Sequence, residues 1–439
     1  MITLFDTYNQ ASWDLHYSLI VSGYQHPTIA IDDDGFLPED VTSPYLYFTG
    51  FSDLPSDPLY FNQVRVPDYW EISGNNNYAE IHDYQQKRGH IHYANPGHLR
   101  RVKAVDWYDD RGRLRLSDRY NKQGYRFAQT SYNQDSQATL TTYFNQANQE
   151  VIVENHTTGD VILNGVKVMI FKSRAAFVCH YLKLAGYQLD RVFYNSLSTP
   201  FHVAHQLGLA GEDVLFWQED MADTIPANMQ LLLDDSVARP TKVVVQKEPA
   251  YTKLVNLLPN DAPRKPQFLG FHYPFKRQNH LTKEALILTN SDQLEGIQAL
   301  IDQVPDLHFH IGALTEMSAK LLDLGRHPNV SLYPNISQAK VDHLFQTCSI
   351  YLDINHSNEI LSALRTAFEN RMAILAFSNT SHNKAYTAPS NTFEPSDTVT
   401  FCQHLIAISH HEASMVQALI AQEKSANVAT KEDYQAVIG

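Results

Sequence analysis

The sequence has little cysteine and no excess of positive charge. Its three cysteines, Cys179, Cys348 and Cys402, lie far apart in apolar surroundings, which suits reduced, packed thiols rather than a disulfide framework or a zinc site. Lysine and arginine total 34 against 48 aspartates and glutamates, and the cations are scattered rather than clustered. These absences argue against a secreted disulfide scaffold and against nucleic acid as a partner.

Long apolar runs are also missing. No stretch approaches the roughly 18 apolar residues of a membrane span, and the N-terminal residues show no basic region followed by an apolar core. The chain also has no glycine-rich phosphate loop, serine-nucleophile elbow or kinase signature. The reduced cysteines and the absence of a secretion signal together predict a cytoplasmic protein.

Two regions of the chain show the alternation of strands and helices that is typical of parallel βαβ sheets. The first comprises 1–30 and, further along, 174–246. The second begins at 267, and its predicted strands are 285–289, 307–312, 330–333, 350–354 and 372–377, with helices at 293–304, 316–324, 338–348 and 359–370. These patterns predict two Rossmann-like lobes, the first of them discontinuous.

The segment between the two parts of the first lobe, about 42–171, has a different pattern. Short runs that alternate apolar and polar residues are separated by turn signals, which predicts an antiparallel meander with one packed face. The turn signals lie at 57–58, 74–75, 95–97, 110–112, 121–124, 133–135 and 158–160.

The predicted fold is therefore α/β, with two Rossmann-like lobes of the GT-B glycosyltransferase type and an inserted antiparallel β-meander domain. A length of 439 residues suits about three domains of roughly 150 residues each. The proline-rich stretch 257–266 predicts a linker, and the tail after 424 is expected to be weakly ordered. The predicted domains are 1–41 with 173–262, 42–172, and 263–439 with C-terminal helices.

Residues 349–377 have the outline of a sugar-nucleotide site, with a strand, a polar turn, a helix and a second strand. Two-lobe glycosyltransferases place two glutamates eight positions apart here, whereas Glu359 and Glu369 are ten apart and Leu361 stands at the first position. The two carboxylates could still act as a general base and a ribose ligand. The alternative for each is a solvated helix face.

The turn 289–295, where such enzymes hold the donor pyrophosphate, contains no cation and two acids, Asp292 and Glu295. An aspartate about 5 Å from a phosphate charge costs roughly 3 kcal/mol at an effective dielectric constant near 20. Alternatively, both acids merely complement the helix dipole. In either case the phosphate clamp is missing, while Asn355 and His356, in a turn at a strand's carboxyl end, suit hydroxyl or amide ligands.

Metal-binding patterns are weak. The run 32–35, three aspartates and a glycine, resembles the metal-binding acids of single-lobe transferases but is more simply a turn. His308 and His310 lie at alternating strand positions with no cysteine near them in sequence. We predict no metal and no cofactor.

The meander is rich in aromatic residues with polar tips. Such residues either anchor protein interfaces or pack an ordinary sheet with their hydroxyls outward, and the sequence leaves both alternatives open. They are Tyr69, Trp70, Tyr93, Trp107, Tyr108, Tyr120, Tyr125, Tyr132 and Tyr143.

Nearly end to end, the chain resembles a known family: the stabilising, glycosyltransferase-like subunit of the enzyme pair that adds the first N-acetylglucosamine to serine-rich repeat adhesins, encoded beside the accessory Sec export system. The segments that carry the resemblance are SWDLHYSL, DDGFLPE, SPY, PLYFNQ, KRGHIHY, DRYNKQG, FWQED, TNSDQLEGIQAL, FHIGALTEMSAKL, LYPN and YLDINHSNE.

The resemblance implies a subunit without transferase activity of its own. It implies that this subunit forms a complex with a catalytic homologue that holds UDP-N-acetylglucosamine, with two copies of each subunit. It also implies that the meander helps to join this subunit to the catalytic one. The subunit would recognise the unfolded, serine-rich adhesin. Its expected location is the cytoplasm, with peripheral recruitment to the inner face of the membrane.

From the predicted strand ends we infer acceptor-cleft positions in both lobes. Glu369 marks a degenerate donor-site position, and no residue is assigned a catalytic role. The acceptor-cleft positions are Trp217, Gln218, Glu219, Asn290, Ser291, Asp292, His310, Asn355, His356 and Glu359.

Two other functions remain open at this point. The first is a self-sufficient retaining glycosyltransferase that uses Glu359 or Glu369. The second is a carbohydrate-binding module that holds glycans on the aromatic meander.

Overall fold

The structure is a computed structural model that describes residues 1–52, 54–208 and 210–439. Two compact units are found: unit 1 comprises 1–268 with 437–439, and unit 2 comprises 269–436. The predicted boundaries at 41/42, 172/173 and 262/263 are finer than this division and stay predictions. None of the helices in the described ranges is long and apolar enough to cross a membrane.

Unit 1 opens with a strand-helix-strand segment whose helices carry side-chain caps. Asn9 accepts a hydrogen bond from the Ser12 amide, and Ser43 accepts one from the Leu46 amide. Residues 32–35 form a turn, as the simpler of the two interpretations predicts, and the Asp33 carboxylate accepts a hydrogen bond from the Gly35 amide at 2.8 Å. The elements are β1 (Ile2–Thr7), α1 (Gln10–Val21), β2 (Thr28–Asp32), β3 (Val41–Thr42) and α2 (Pro44–Thr49).

The next elements form the antiparallel sheet that the turn signals predict. Its spatial order follows the chain from β4 to β13 without a crossover, so the meander is confirmed. The strands are β4 (Glu71–Gly74), β5 (Tyr78–Asp83), β6 (Gln86–Tyr93), β7 (Val102–Tyr108), β8 (Leu114–Tyr120), β9 (Arg126–Tyr132), β10 (Ala138–Phe144), β11 (Glu150–Asn155), β12 (Val161–Leu163) and β13 (Met169–Phe171).

The chain then returns to a parallel sheet of order β17-β16-β15-β14-β1-β2-β3. Its central strands are buried on both faces, and for that reason they read as unbroken apolar runs in the sequence. The elements are α3 (Arg174–Leu184), β14 (Val192–Tyr194), α4 (Thr199–Gln206), β15 (Asp213–Trp217), α5 (Ala227–Leu233), β16 (Thr241–Val245), α6 (Glu248–Leu257) and β17 (Gln267–Phe268).

A buried polar cluster joins the meander to the rest of unit 1. Glu154 of β11 accepts hydrogen bonds from the Tyr45 hydroxyl and from the Arg174 guanidinium, whose Nε and Nη2 lie 3.2 and 3.0 Å from its two oxygens. Arg119 donates to the Tyr143 hydroxyl at 2.9 Å. The paired charges allow this carboxylate to be buried.

Unit 2 is the predicted second lobe, a parallel sheet of order β20-β19-β18-β21-β22-β23. Apolar side chains cover both of its faces. The elements are β18 (Glu284–Thr289), α7 (Ile297–Gln303), β19 (His308–Ala313), α8 (Ala319–Asp323), β20 (Val330–Tyr333), α9 (Gln338–Thr347), β21 (Ile350–Asp353), α10 (Ala363–Glu369), β22 (Ala373–Phe377), β23 (Thr392–Phe393), α11 (Thr398–His410), α12 (Glu412–Ser425) and α13 (Lys431–Ile438), whose last two residues belong to unit 1.

Two expectations for this region are wrong. The helix predicted at 359–370 begins only at Ala363, because Leu361 and Ser362 have φ angles of 56° and 49°, in the left-handed region that no helix continues through. The tail after 424 is ordered: it forms α13, in which Tyr434 is fully buried and its hydroxyl donates to the Gly270 carbonyl at 2.9 Å.

Candidate functional site

The strand order of unit 2 reverses between β18 and β21, and open α/β sheets bind ligands at the carboxyl ends of such a pair. The structure brings the two predicted turns together there. The Asn355 amide donates to Asn290 Oδ1 at 3.1 Å, and the Thr289 hydroxyl donates to Asn355 Oδ1 at 2.9 Å. Asn355 is only 3% exposed. It therefore holds the two turns in position rather than offering a free amide.

The backbone of the two turns also closes the gap between these strands. Leu294 and Asn355 form an isolated antiparallel bridge, and the Glu295 amide donates to the Ile354 carbonyl at 2.8 Å. The Glu295 carboxylate accepts from Asn379 at 2.8 Å and lies 2.8 Å from His356 Nε2. His356 is thus engaged by an acid that the sequence interpretation assigned to the helix dipole.

An ion pair beneath the turn fixes its path. His382 Nδ1 lies 2.6 Å from Asp353 Oδ1, and His382 Nε2 contacts the Ser357 carbonyl. Both partners are acceptors, so both ring nitrogens donate and the imidazole is positively charged. Burial alone would lower the pKa of His382, but Asp353 and the Ser357 carbonyl outweigh it, and the pKa lies above the usual 6.5. Burial also raises the pKa of Asp353.

The two glutamates of the donor-site outline are occupied by other groups of the chain. Glu359 Oε1 accepts a hydrogen bond from the Leu364 amide at 2.9 Å, so a carboxylate already lies at the start of α10. Glu369 is 8% exposed and forms ion pairs with Arg365 at 2.7 Å and Lys276 at 3.2 Å. An incoming phosphate would meet a negative charge at the first position, and an incoming ribose would have to break the ion pairs of a buried carboxylate at the second.

A small pocket of about 160 Å³ lies between the carboxyl ends of β18 and β19. Three predicted residues, Asn290, Ser291 and Asp292, line it. The sequence analysis missed the other wall, although the end of the predicted strand 307–312 pointed to it. That wall comprises Ala313, Thr315, Glu316, Ser318 and Leu321, so the pocket lining is neutral or acidic throughout.

His310 lies elsewhere. It occupies the third position of β19, is 8% exposed, and its Nδ1 lies 2.9 Å from the Tyr333 hydroxyl. Burial, reinforced by the neighbouring cations, lowers the pKa of His310 to about 4. It does not line the pocket at the carboxyl ends.

In unit 1 the corresponding strand ends carry a ladder of amides. Gln218 Nε2 donates to Gln246 Oε1 at 2.8 Å and to the Ala11 carbonyl at 2.9 Å, and Asn195 donates to Gln218 Oε1 at 2.9 Å. Gln218 is 8% exposed and Trp217 is 5% exposed. These two predicted residues are therefore structural in unit 1, whereas Glu219 is exposed.

Sequence reasoning missed the point where the strand order of unit 1 reverses, between β1 and β14. Asp6 lies near the end of β1, and its pKa is raised by burial, against the effect of hydrogen bonds from Ser198 and Ser196. The position of Asp6 within the predicted α/β segment 1–30 was the available signal. The result is a second polar strand end, rich in hydroxyl groups.

Two parallel sheets, an antiparallel sheet within the first unit and polar turns at the carboxyl strand ends define a glycosyltransferase-like α/β protein. Four family models match the chain: GtfB N-terminal domain at 2–48, GtfB middle domain at 70–172, GtfB third domain at 174–257, and GftB/GlyA-F C-terminal domain at 285–422. The chain belongs to the GtfB family.

Similar proteins cover the whole chain. The UDP-N-acetylglucosamine–peptide N-acetylglucosaminyltransferase stabilizing protein GtfB of Streptococcus agalactiae is 45% identical, over 100% of this chain and 99% of that protein. The protein of the same name from Streptococcus gordonii is 46% identical, over 97% and 96%. A chain of the crystal structure of a GtfA/B complex bound to UDP and GlcNAc superposes with a TM-score of 0.93, at 45% identity and full coverage of both chains.

Proposed function

We propose that this chain is the noncatalytic subunit of a protein O-GlcNAc transferase: it stabilises a catalytic homologue and binds the serine-rich repeat acceptor in the first step of adhesin O-glycosylation. The assembly contains two copies of each subunit. The observation that carries the proposal is the occupation of both donor-site carboxylates by the chain's own groups. The full-length similarity to proteins named as stabilising supports it.

The loss of donor binding follows from charge. Glu359 places a carboxylate on a backbone amide at the start of α10, where a donor phosphate would need that amide. Asp292 and Glu316 add two further acids at the neighbouring pocket. No lysine or arginine lines that pocket within the described ranges. A dianionic pyrophosphate is therefore repelled, while a neutral ligand is not.

The same surface suits a serine-rich chain. Amide and hydroxyl groups of Asn290, Ser291 and Thr315 offer both donors and acceptors to a peptide backbone and to serine hydroxyls. Such contacts pair neutral groups and need no fixed counter-charge. An unfolded acceptor that is rich in serine presents these groups along its whole length.

Partner docking is assigned to the edge of the meander. Val166 and Val168, in the loop before β13, and Ile170, within this last strand of the sheet, are exposed to 114%, 56% and 60%. An apolar strand edge of this kind is a template for association with another chain. Ile170→Asp should therefore reduce co-purification with the catalytic homologue. Val399→Asp, at a residue of unit 2 that is 58% exposed, is the matched control.

The central test measures hydrolysis and transfer of UDP-N-acetylglucosamine by the isolated chain and by the chain mixed with its catalytic homologue. We expect no turnover alone, and more stable and more active transferase in the mixture. Turnover by the isolated chain that Glu369→Gln abolishes would establish the self-sufficient enzyme instead.

Acceptor binding is tested by calorimetry with a serine-rich repeat peptide. Thr315→Val removes one hydroxyl from the pocket and should weaken binding about fivefold, the value of one hydrogen bond of about 1 kcal/mol. Thr400→Val, an exposed residue of α11, should leave the affinity unchanged. Equal affinities for both variants would remove this pocket from the acceptor site.

The cytoplasmic location, with peripheral recruitment to the inner face of the membrane, belongs to the same proposal. Cell fractionation with and without the catalytic homologue tests it. A chain found only outside the cell would contradict it.

A further inference from the structure

Unit 2 contains a cluster of three potential metal ligands at the end of the sheet opposite the pocket. Glu284 is the first residue of β18, His310 lies in β19, and Cys348 follows α9 just before β21. One ligand atom from each residue lies within 4.8 Å of the other two. The three come from three separate chain segments, so only the fold brings them together.

His310 supplies the second, independent observation. The residue is 8% exposed, and its Nε2 atom has no hydrogen-bond partner although it is buried. Burying a ring nitrogen without a partner is costly, and such atoms need an explanation. Nε2 lies 3.9 Å from the Glu284 carboxylate, so the unpartnered nitrogen is next to another member of the cluster.

The other ring nitrogen is held as a ligand histidine requires. Nδ1 lies 2.9 Å from the Tyr333 hydroxyl, whose oxygen can accept from an Nδ1–H, and in that tautomer the Nε2 lone pair is free. Metal-bound histidines are oriented by an outer hydrogen bond of this kind. Cys348 is fully buried, and the Glu284 side chain is 39% exposed, which leaves a path for an ion from solvent.

We propose that Glu284, His310 and Cys348 form a Zn²⁺ site. Carboxylate oxygen, imidazole nitrogen and thiolate sulphur are all zinc ligands, and a site with three protein ligands keeps a fourth position for water. Zinc bonds of about 2.0 Å to oxygen and nitrogen and about 2.3 Å to sulphur would bring the ligand atoms about 3.5 Å apart. The half-exposed Glu284 side chain has the freedom to make most of that movement.

Binding displaces the Cys348 thiol proton to solvent and forms three coordinate bonds, with no change of oxidation state. The ion ties β18 and β19 to the segment between α9 and β21. This proposal replaces the prediction that the chain has no metal site, and it is independent of the proposed acceptor function.

The test uses the untagged full-length chain, stripped with a chelator and titrated with Co²⁺ and then with Zn²⁺. We expect a thiolate-to-Co²⁺ charge-transfer absorbance that saturates at one equivalent per chain and is displaced by Zn²⁺. Cys348→Ser should abolish the band, whereas Cys402→Ser, at a buried thiol outside the cluster, should keep it.

Because Cys348→Ser could fail to fold, two milder variants decide the question. Tyr333→Phe removes only the outer hydrogen bond and should weaken Zn²⁺ binding about tenfold, the low end for such partners. Glu284→Gln, at a half-exposed position, should weaken binding by at least as much. A missing thiolate band, a band that persists in Cys348→Ser, or unchanged Zn²⁺ affinity in Glu284→Gln would overturn the proposal.

Discussion

Replacing His382 by glutamine should loosen the turn that carries Asn355 and His356. In the native structure the charged imidazole bonds the Asp353 carboxylate at 2.6 Å on one side and the Ser357 carbonyl on the other. Glutamine keeps one donor group but not the charge. Asp353, 3% exposed, is then left as a buried carboxylate without its counter-ion.

The size of the effect follows from this burial. Removing one partner of a buried ion pair costs roughly 3–5 kcal/mol. The His382 side chain keeps 19% exposure, so the low end, about 3 kcal/mol, is expected. At about 1.4 kcal/mol per factor of ten, this corresponds to roughly a hundredfold loss of protection against local opening.

The effect should depend on pH with a defined sign. The pKa of His382 is raised above 6.5 in the folded protein, so its stabilisation is complete below that value and is lost as the pH rises through the folded pKa. Burial also raises the pKa of Asp353, and the ion pair with His382 forms only once that carboxyl group has lost its proton, so the comparison is made above the Asp353 titration. Above that range, the difference between wild type and His382→Gln should therefore shrink as the pH rises from about 6.5 through the folded pKa of His382.

Amide hydrogen exchange over residues 350–382 measures this local opening. Tryptophan fluorescence does not report on unit 2, because all four tryptophans of the chain precede residue 218. The control is His356→Gln, which removes the partly exposed pair with Glu295 and should cost no more than about 1 kcal/mol. Equal protection losses in the two variants, or a His382→Gln effect that grows as the pH rises above about 6.5, would contradict this prediction.

Three further predictions concern stability. Gln218→Leu breaks the amide ladder and should destabilise unit 1 by about 2–3 kcal/mol, measured by tryptophan fluorescence during urea unfolding. The control Gln206→Leu, on the exposed side of α4, should have little effect, and equal unfolding midpoints for the two variants would contradict the prediction. Glu369→Gln should lower the stability of unit 2 by about 2 kcal/mol, while the assembled complex keeps its transferase activity. Loss of that activity without loss of stability would indicate that Glu369 acts in a donor site. Tyr434→Ala should cost about 3–5 kcal/mol in thermal unfolding, and an unchanged midpoint would show that α13 is dispensable.

The parallel sheet of unit 2 could be predicted because its strands are buried on both faces and read as apolar runs. The predicted strands 285–289 and 330–333 agree with the structure to within one residue. The start of α10 could not be predicted, because Leu361 and Ser362 adopt left-handed conformations that neither residue type favours. In this conformation the Glu359 carboxylate accepts a hydrogen bond from the Leu364 amide, a contact that an amphipathic pattern does not encode.

The ordered C-terminal helix was missed for a related reason. Residues 431–438 are polar overall, so their composition suggested weak order. Tyr434 is fully buried, and its hydroxyl donates to the Gly270 carbonyl on a surface that the rest of unit 2 offers. That surface is long-range in sequence and is invisible to a local pattern.

The candidate site shows the same limit most clearly. Sequence reasoning placed polar residues at the carboxyl ends of strands, but it could not separate those that build the site from those that face a ligand. Asn355 and Gln218 are buried and satisfied by neighbouring chain groups, whereas Asn290 and Glu219 are exposed. Substitutions in the first pair should therefore change stability and substitutions in the second should change binding, which allows a damaged fold to be told apart from a damaged acceptor surface.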